Sequence, residues 1–328
     1  MTGCFLRLAR HEFFNGLLEF APMQPATNFA DRLVERIRAL GHPLCVGLDP
    51  HLAQIPTLFR RGSMASDNEQ TALAVEEFLV AIIDRIVGRV AIIKPQIAFF
   101  EQLGWRGMRV LDGLCRRARE ANLMVLLDAK RGDIGSTAEG YASAYLAPDA
   151  VMPVDAMTLN PYLGFDTIEP FAKVARDAGR GIFVLVKTSN PGSGDLQDHE
   201  VEGEPLYGRV ADGLAQMQND LLGSKTGWSS LGVVCGATWP EQARRVREAL
   251  PKALFLVPGY GAQGATASDA VQSFIPGPNG REGGIVNSSR AILFPESGKT
   301  TTRASEWESA VDAALAKAID ELATAIQT

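Results

Sequence analysis

Asp128, Lys130 and Asp133 stand at the end of an apolar run, Leu123 to Leu127, within Asp128-Ala129-Lys130-Arg131-Gly132-Asp133-Ile134-Gly135-Ser136-Thr137. The run reads as a buried strand. In extended chain, the i, i+2 spacing of Asp128 and Lys130 places both on one face. Opposite charges brought side by side at the end of a buried strand are tolerated where they pair or where they work. The chemistry open to them is electrostatic stabilisation and proton transfer by a fixed ammonium. A structural ion pair capping the strand remains the alternative for the bare Asp-x-Lys.

Two other strand ends repeat the theme. Pro43-Leu44-Cys45-Val46-Gly47-Leu48 runs into Asp49, and Val90-Ala91-Ile92-Ile93 runs into Lys94. Late in the chain, Val257-Pro258-Gly259-Tyr260-Gly261-Ala262-Gln263-Gly264 has glycines that let backbone approach a ligand closely, with a carboxamide at Gln263. In Val286-Asn287-Ser288-Ser289-Arg290, hydroxyls, backbone N–H groups at a helix start and a guanidinium fall within a few residues, which is equipment for an anion such as phosphate.

The extended motif Asp-x-Lys-x-x-Asp-Ile-x-x-Thr, carried by Asp128, Lys130, Asp133, Ile134 and Thr137, resembles the signature of the orotidine 5'-phosphate decarboxylases. The resemblance runs from about Asn28 to Leu322 and is closest to the longer bacterial branch of that family. It implies a cofactor-free, metal-free conversion of orotidine 5'-monophosphate to uridine 5'-monophosphate and carbon dioxide in pyrimidine biosynthesis. By resemblance, Asp49 would contact ribose, Lys94 would open a charged array, Asp128 would face the substrate carboxylate and Lys130 would donate the proton. Asp133, Ile134 and Thr137 would reach into the site of a second subunit, so the resemblance implies a homodimer with shared sites. Ser189 would contact the pyrimidine, Pro258 and Gln263 would close over base and phosphate, and Arg290, preceded by Ser289, would clamp the phosphate. Two departures stand out: Ser289 occupies a position that is glycine in many relatives, and the Asn190–Pro205 insertion is long.

Three rival readings use the same residues. A related barrel enzyme could act on a sugar phosphate, either as a metal-assisted decarboxylase or as an aldolase. Lys130 could serve as a Schiff-base nucleophile, although flanking carboxylates raise a lysine pKa rather than lower it. The chain could also bind a nucleotide without turning it over.

The elements that must position these residues alternate along the chain. Apolar residues at 29, 33, 34 and 37 predict a first helix over Asn28–Arg38, placed to close the bottom of the fold. Short strands are then expected at Leu44–Leu48, Val90–Ile93, Leu123–Leu127, Ala156–Leu159, Ile182–Val186, Leu231–Val234, Leu254–Val257 and Gly284–Asn287. Helices are expected between them. Among these, Ser66-x-x-Glu69 is read as a capping box for a helix to Val87, and Ser305-x-x-Glu308 as one for the last helix. Other helices are placed at Met108–Ala121, from Ser136 or Thr137 to Tyr145, at Thr167–Ala178, Leu206–Leu222 and Pro240–Leu250. Eight strand–helix units predict an α/β fold of the (β/α)8 TIM-barrel kind, a single domain over residues 28–328, whose chemistry belongs at the C-terminal strand ends. Asp49, Lys94, Asp128 and Lys130 all fall there. No Gly-x-Gly-x-x-Gly follows the first strand, which weakens a dinucleotide-binding sheet. The polar stretches Asn190–Pro205 and Ser268–Glu282 are long for barrel loops and are expected to be lids or insertions.

The 328 residues are 46% hydrophobic and 21% charged, enough for one large barrel. A net charge of -6 argues against nucleic acid or an anionic membrane as partner. Cys4, Cys45, Cys115 and Cys235 show no Cys-x-x-Cys spacing, which suits reduced thiols in a cytoplasm. His11, His42, His51 and His199 offer no paired metal-ligand spacing. Residues 1–27 are basic and apolar in turn, with His11 and Glu12 interrupting any signal-peptide core. They are expected to form an extension outside the barrel, with Met23 as an alternative start.

Overall fold

A computed structural model describes residues 27–261 and 264–328. The extension foreseen over residues 1–27 therefore lies outside the described residues, except for its last position.

Eight parallel strands close into a barrel: β1 (Leu44–Leu48), β2 (Ile92–Pro95), β3 (Met124–Arg131), β4 (Ala156–Leu159), β5 (Gly181–Lys187), β6 (Ser229–Cys235), β7 (Ala253–Val257) and β8 (Gly284–Ser288). Each strand pairs with its sequence neighbours, and β1 pairs with β8 to close the ring through Leu44↔Val286 and Val46↔Ser288. The main helices are α1 (Phe29–Leu40), α2 (Glu69–Ile86), α3 (Gly104–Glu120), α4 (Gly135–Tyr145), α5 (Glu169–Ala178), α6 (Leu206–Asp220), α7 (Pro240–Ala249) and α8 (Ala304–Ala325). This is the (β/α)8 barrel expected from the alternation.

Near-continuous apolar strands are what a doubly covered parallel sheet requires. The outward residues, among them Val46, Ile93, Val125, Leu127, Val184, Val233 and Phe255, pack in one core with the helices. The inward ones, among them Cys45, Ile92, Met124, Leu126, Phe183, Leu254, Leu256 and Ile285, form a second core together with Phe29, Leu33, Val34 and Ile37 of α1. Thus α1 plugs the N-terminal end of the barrel. Phe29 meets Phe183 edge to face at 6.0 Å, and the Ala30 N–H donates to Ser230 Oγ at 3.2 Å. Fully burying side chains of this size contributes about 1.5–3 kcal/mol each.

Several helix starts differ from those expected. Asn68, not Ser66, caps α2, because its side-chain oxygen lies next to the helix and accepts from Gln70 N at 2.9 Å. The last helix starts at Ala304, so Ser305 is already inside its first turn and cannot act as a cap. Helix α3 begins at Gly104, four residues before Met108. Thr167 falls in a 3-10 turn ahead of α5. The two long polar stretches also part ways. Asn190–Pro205 folds at the C-terminal end of β5 into a 3-10 turn (Pro191–Ser193), one short helix (Gly194–Gln197) and a ribbon of Glu200–Val201 with Glu204–Pro205. The second stretch ends in a ribbon of Ile275–Gly277 with Gly280–Glu282, and Glu282 binds Arg38 of α1 and Trp228 Nε1. That ribbon braces the plugged end of the barrel and is no lid over the mouth.

Candidate active site

The inward alternation of the strands carries straight into the site. Beyond the last apolar layer, the next inward positions are Asp49 after β1, Lys94 on β2, Asp128 on β3 and Asn287 on β8, and these stand at the C-terminal end of the barrel. A cavity of about 410 Å³ opens there. Its walls include Asp49, Lys94, Lys130, Ser189, Ser289 and Arg290, with Pro258 and Asn287 beside them.

At its floor lies a chain of alternating charges. Lys94 Nζ stands 3.0 Å from Asp128 Oδ2 and 3.9 Å from Asp49 Oδ1, while Lys130 Nζ stands 2.6 Å from Asp128 Oδ1. Lys94 and Asp128 are buried, whereas the Lys130 side chain keeps 44% of its surface open. Burial alone would lower the Lys94 pKa, but Asp128 and Asp49 outweigh it and hold the ammonium above its usual range. Burial would likewise raise Asp128, and Lys94 and Lys130 reverse that and hold the carboxyl well below its usual range. Both groups are therefore charged at neutral pH, and the ammonium of Lys130 is aimed into the cavity by an anion that cannot readily be protonated.

Thr158 on β4, absent from the sequence reading, is the hub that sets this geometry. Its hydroxyl donates to Asp128 Oδ1 at 2.9 Å and accepts the N–H groups of Ala129 and Lys130 at 3.0 and 2.8 Å. These contacts hold a break in the β3–β4 register between Leu127 and Arg131. There Lys130 adopts φ of +48°, a left-handed conformation that a residue with a Cβ takes only where its surroundings impose it. Asp128 and Lys130 do meet, as expected, but through this irregularity rather than by sharing the face of an ideal strand.

The other side of the cavity is polar and incompletely bonded. Among the described residues, Asp49 Oδ1, Asn287 Oδ1 and Ser289 Oγ are buried side-chain atoms with no hydrogen-bond partner. Buried polar atoms of this kind concentrated on one cavity wall mark a surface built to bind something. Gly47 is required there, since a Cβ on it would stand 2.9 Å from Ser289 Cβ and 3.0 Å from Asn287 Oδ1.

Ser189 is held by its neighbours. Trp239 Nε1 donates to Thr188 O at 3.0 Å, Thr188 N donates to Gln197 Oε1 at 2.9 Å, and Gly236 allows the approach, because a Cβ on it would lie 2.8 Å from Ser189 Cα. Beneath them Lys187, fully buried at the end of β5, binds Asp198 at 2.7 Å and Ser193 Oγ at 3.2 Å, and lies 4.8 Å from the Trp239 ring centre. Lys187 and Asp198 escaped the sequence reading. The signal was present in Val186-Lys187-Thr188, a fourth strand ended by a charge.

The structure thus gathers Asp49, Lys94, Asp128, Lys130, Ser189, Pro258, Ser289 and Arg290. Asp133, Ile134 and Thr137 do not line the cavity of their own chain. The Asp133 carboxylate accepts the Ile134 N–H, and Ile134 is 62% exposed. Gln263 lies outside the described residues. Cys45, Cys115 and Cys235 are buried free thiols pushed up to about 12 by burial, while Cys4 lies outside the described residues. Among the described residues, no group of three His, Cys, Asp or Glu side chains could hold a metal ion, and no helix is long and apolar enough to cross a membrane.

The family model for orotidine 5'-phosphate decarboxylase / HUMPS matches residues 42–304. An orotidine 5'-phosphate decarboxylase of Rhodopirellula baltica is 43% identical over 301 residues, covering 90% of this chain and 98% of that protein. One of Caldicellulosiruptor bescii is 42% identical over 279 residues, covering 81% and 90%. The solved structure of Leishmania donovani OMP decarboxylase matches with a TM-score of 0.69 at 32% identity, over 92% of this chain and 99% of that one. Fold, match to the family model and near full-length identity agree: this chain belongs to the orotidine 5'-phosphate decarboxylase family.

Proposed function

We propose that the chain converts orotidine 5'-monophosphate to uridine 5'-monophosphate and carbon dioxide, as a step of pyrimidine biosynthesis, in the cavity at the mouth of the barrel. The observation that carries this reading is the array Lys94–Asp128–Lys130, with the exposed Lys130 ammonium held at 2.6 Å by a carboxylate fixed on three sides.

In this reading the 5'-phosphate sits by Arg290 and Ser289, with Gln263 closing over it, the ribose hydroxyls meet Asp49 and Lys94, and the pyrimidine lies against Ser189 and Pro258. The substrate carboxylate is then directed toward Asp128 and Lys130. The bond from C6 to the carboxylate carbon breaks, carbon dioxide leaves, and the electron pair stays on C6. The Lys130 ammonium stabilises that charge while it develops and then gives its proton to C6. Asp128 repels the carboxylate before the bond breaks and no longer does so afterwards. Phosphate binding far from C6 supplies energy that orders the loops. No step calls for a cofactor or a metal.

The array ends at Lys130 on its open side. Asp133, Ile134 and Thr137 of a second copy are proposed to complete it, in a homodimer with shared sites working in the cytoplasm. The exposed apolar Ile134 beside Asp133 supports such a contact.

The test is the loss of orotidine 5'-monophosphate absorbance on adding purified protein, with and without a chelator. Rapid loss indifferent to the chelator is expected. A folded protein that leaves the substrate untouched would overturn the reading and move the site to sugar-phosphate chemistry.

A further inference from the structure

At the opposite, plugged end of the barrel, four arginines converge from three parts of the chain. Arg32 and Arg36 come from α1, Arg119 from the end of α3, and Arg180 from the residue before β5. With Asn122 and Asp155 they line a cavity of about 190 Å³. Among the described residues that line it, Asp155 is the single carboxylate, so four positive charges face one negative charge.

Asp155 is already committed. Its Oδ1 accepts from Arg32 at 2.9 Å and from Arg180 at 3.3 Å, and its Oδ2 accepts the Val125 N–H at 3.0 Å. The remaining guanidiniums are held by uncharged groups: Arg36 by the carbonyl and side chain of Asn122, and Arg119 by the Pro153 carbonyl at 3.3 Å. Among the described residues, Arg180 Nε is buried and has no hydrogen-bond partner. Burial, with Arg32 beside it, holds Arg36 below the usual arginine range. Burial also lowers Arg180 against the opposing pull of Asp155, and Arg119 and Arg32 add to the lowering.

Partly buried guanidiniums that repel one another and are not neutralised by the protein gain most from a multivalent anion, and their forked donors suit the oxygens of a phosphate group. We propose that Arg32, Arg36, Arg119 and Arg180 form a second anion site, for a phosphate group, free or carried by a nucleotide, at the end of the barrel away from the active site. Phosphate oxygens would bridge Arg36 and Arg119, which no carboxylate joins, and would reach Arg180. Because α1 supplies two of the arginines and also plugs the barrel, an occupied site ties α1 to β3, β4 and β5. Ligand binding there therefore stabilises the whole fold.

The experiment is isothermal titration and thermal unfolding of the full chain at constant ionic strength. Inorganic phosphate is titrated in one arm and adenosine 5'-monophosphate in another. Chloride serves as the reference anion. The double variant Arg36→Gln, Arg119→Gln spares the two arginines that hold Asp155, and Arg290→Ala removes the guanidinium at the mouth cavity. Phosphate or the nucleotide, and not chloride, is expected to bind and raise Tm in the wild type and in Arg290→Ala. In the double variant binding weakens by about tenfold for each guanidinium removed. A response to phosphate alone identifies the free ion, and a response to the nucleotide alone identifies a nucleotide-borne phosphate. Unchanged binding in a double variant with wild-type circular dichroism, or a wild type that responds no more to phosphate and nucleotide than to chloride, would overturn the proposal.

Discussion

At the scale of single residues, Asp128 carries most of the constraint. It is an acceptor for two lysines and one hydroxyl, and removing Lys94 or the Thr158 hydroxyl loosens the carboxylate that holds Lys130. Lys130→Ala should lower kcat by roughly ten-thousand-fold or more while nucleotide binding stays measurable by titration, since the residue is asked to supply both electrostatic stabilisation and the proton. Near-normal turnover in that variant would remove Lys130 from the mechanism. Asp128→Asn leaves Lys94 buried without its main anion, and should cost about 3–5 kcal/mol of stability in denaturant unfolding. The pair also sets a pH window. Asp128 is held below its unfolded value, so its contribution is full above about pH 4 and drains away as pH falls further. Lys94 is held above its unfolded value, so its contribution is full below about pH 10 and is lost as pH rises through the folded pKa. Urea midpoints should therefore be flat between those limits as far as this pair is concerned. Asp128→Asn should flatten part of the acid limb, and a variant with an unaltered acid limb would contradict the assignment.

At the scale of elements, the segment after β5 is tied down. A cation with no exposed surface has its carboxylate partner in the inserted segment, so lifting that segment would strand the charge of Lys187. The insertion is thereby a fixed wall that presents Ser189. After β7, Gly259, Gly261 and Gly264 have φ of 102°, 72° and 92°, conformations that glycine adopts without strain, and among the described residues of this loop no comparable ion pair is found. Lys187→Met keeps most of the buried volume, and should raise KM about tenfold with a smaller effect on kcat, because ground-state positioning is what is lost. Lys187→Arg should recover part of it. Hydrogen exchange should protect the amides of 187–198 better than those of 259–261 and 264–265. The reverse order would make the insertion the lid.

At the scale of the whole molecule, one barrel leaves the charge array open at Lys130 and sends Asp133, Ile134 and Thr137 outside its own cavity. If two copies share sites, Lys130→Ala and Asp133→Asn should each be nearly inactive alone and should regain activity when mixed and allowed to exchange subunits. Each mixed dimer would then contain one intact site. No recovery on mixing, with exchange demonstrated, would place Asp133 in its own chain's site.

The strand–helix alternation, the inward period of two and the charges at strand ends are legible in the sequence, because a doubly covered parallel sheet demands apolar strands and leaves polar residues only where strands end. The signature around Lys130 is legible too, because its members lie within ten residues. The helix starts at Glu69 and Ala304 are not, since neighbouring polar residues compete for one helix start and only packing chooses between them. Thr158, Lys187 with Asp198, and the four arginines at the plugged end are contacts between residues distant in sequence or common in kind, so nothing local marks them. Only closing the barrel brings β4 beside β3 and α1 beneath β5. The physical reason is that residue type and periodicity specify which face a side chain takes, whereas which charges become neighbours is decided by the order in which the strands close.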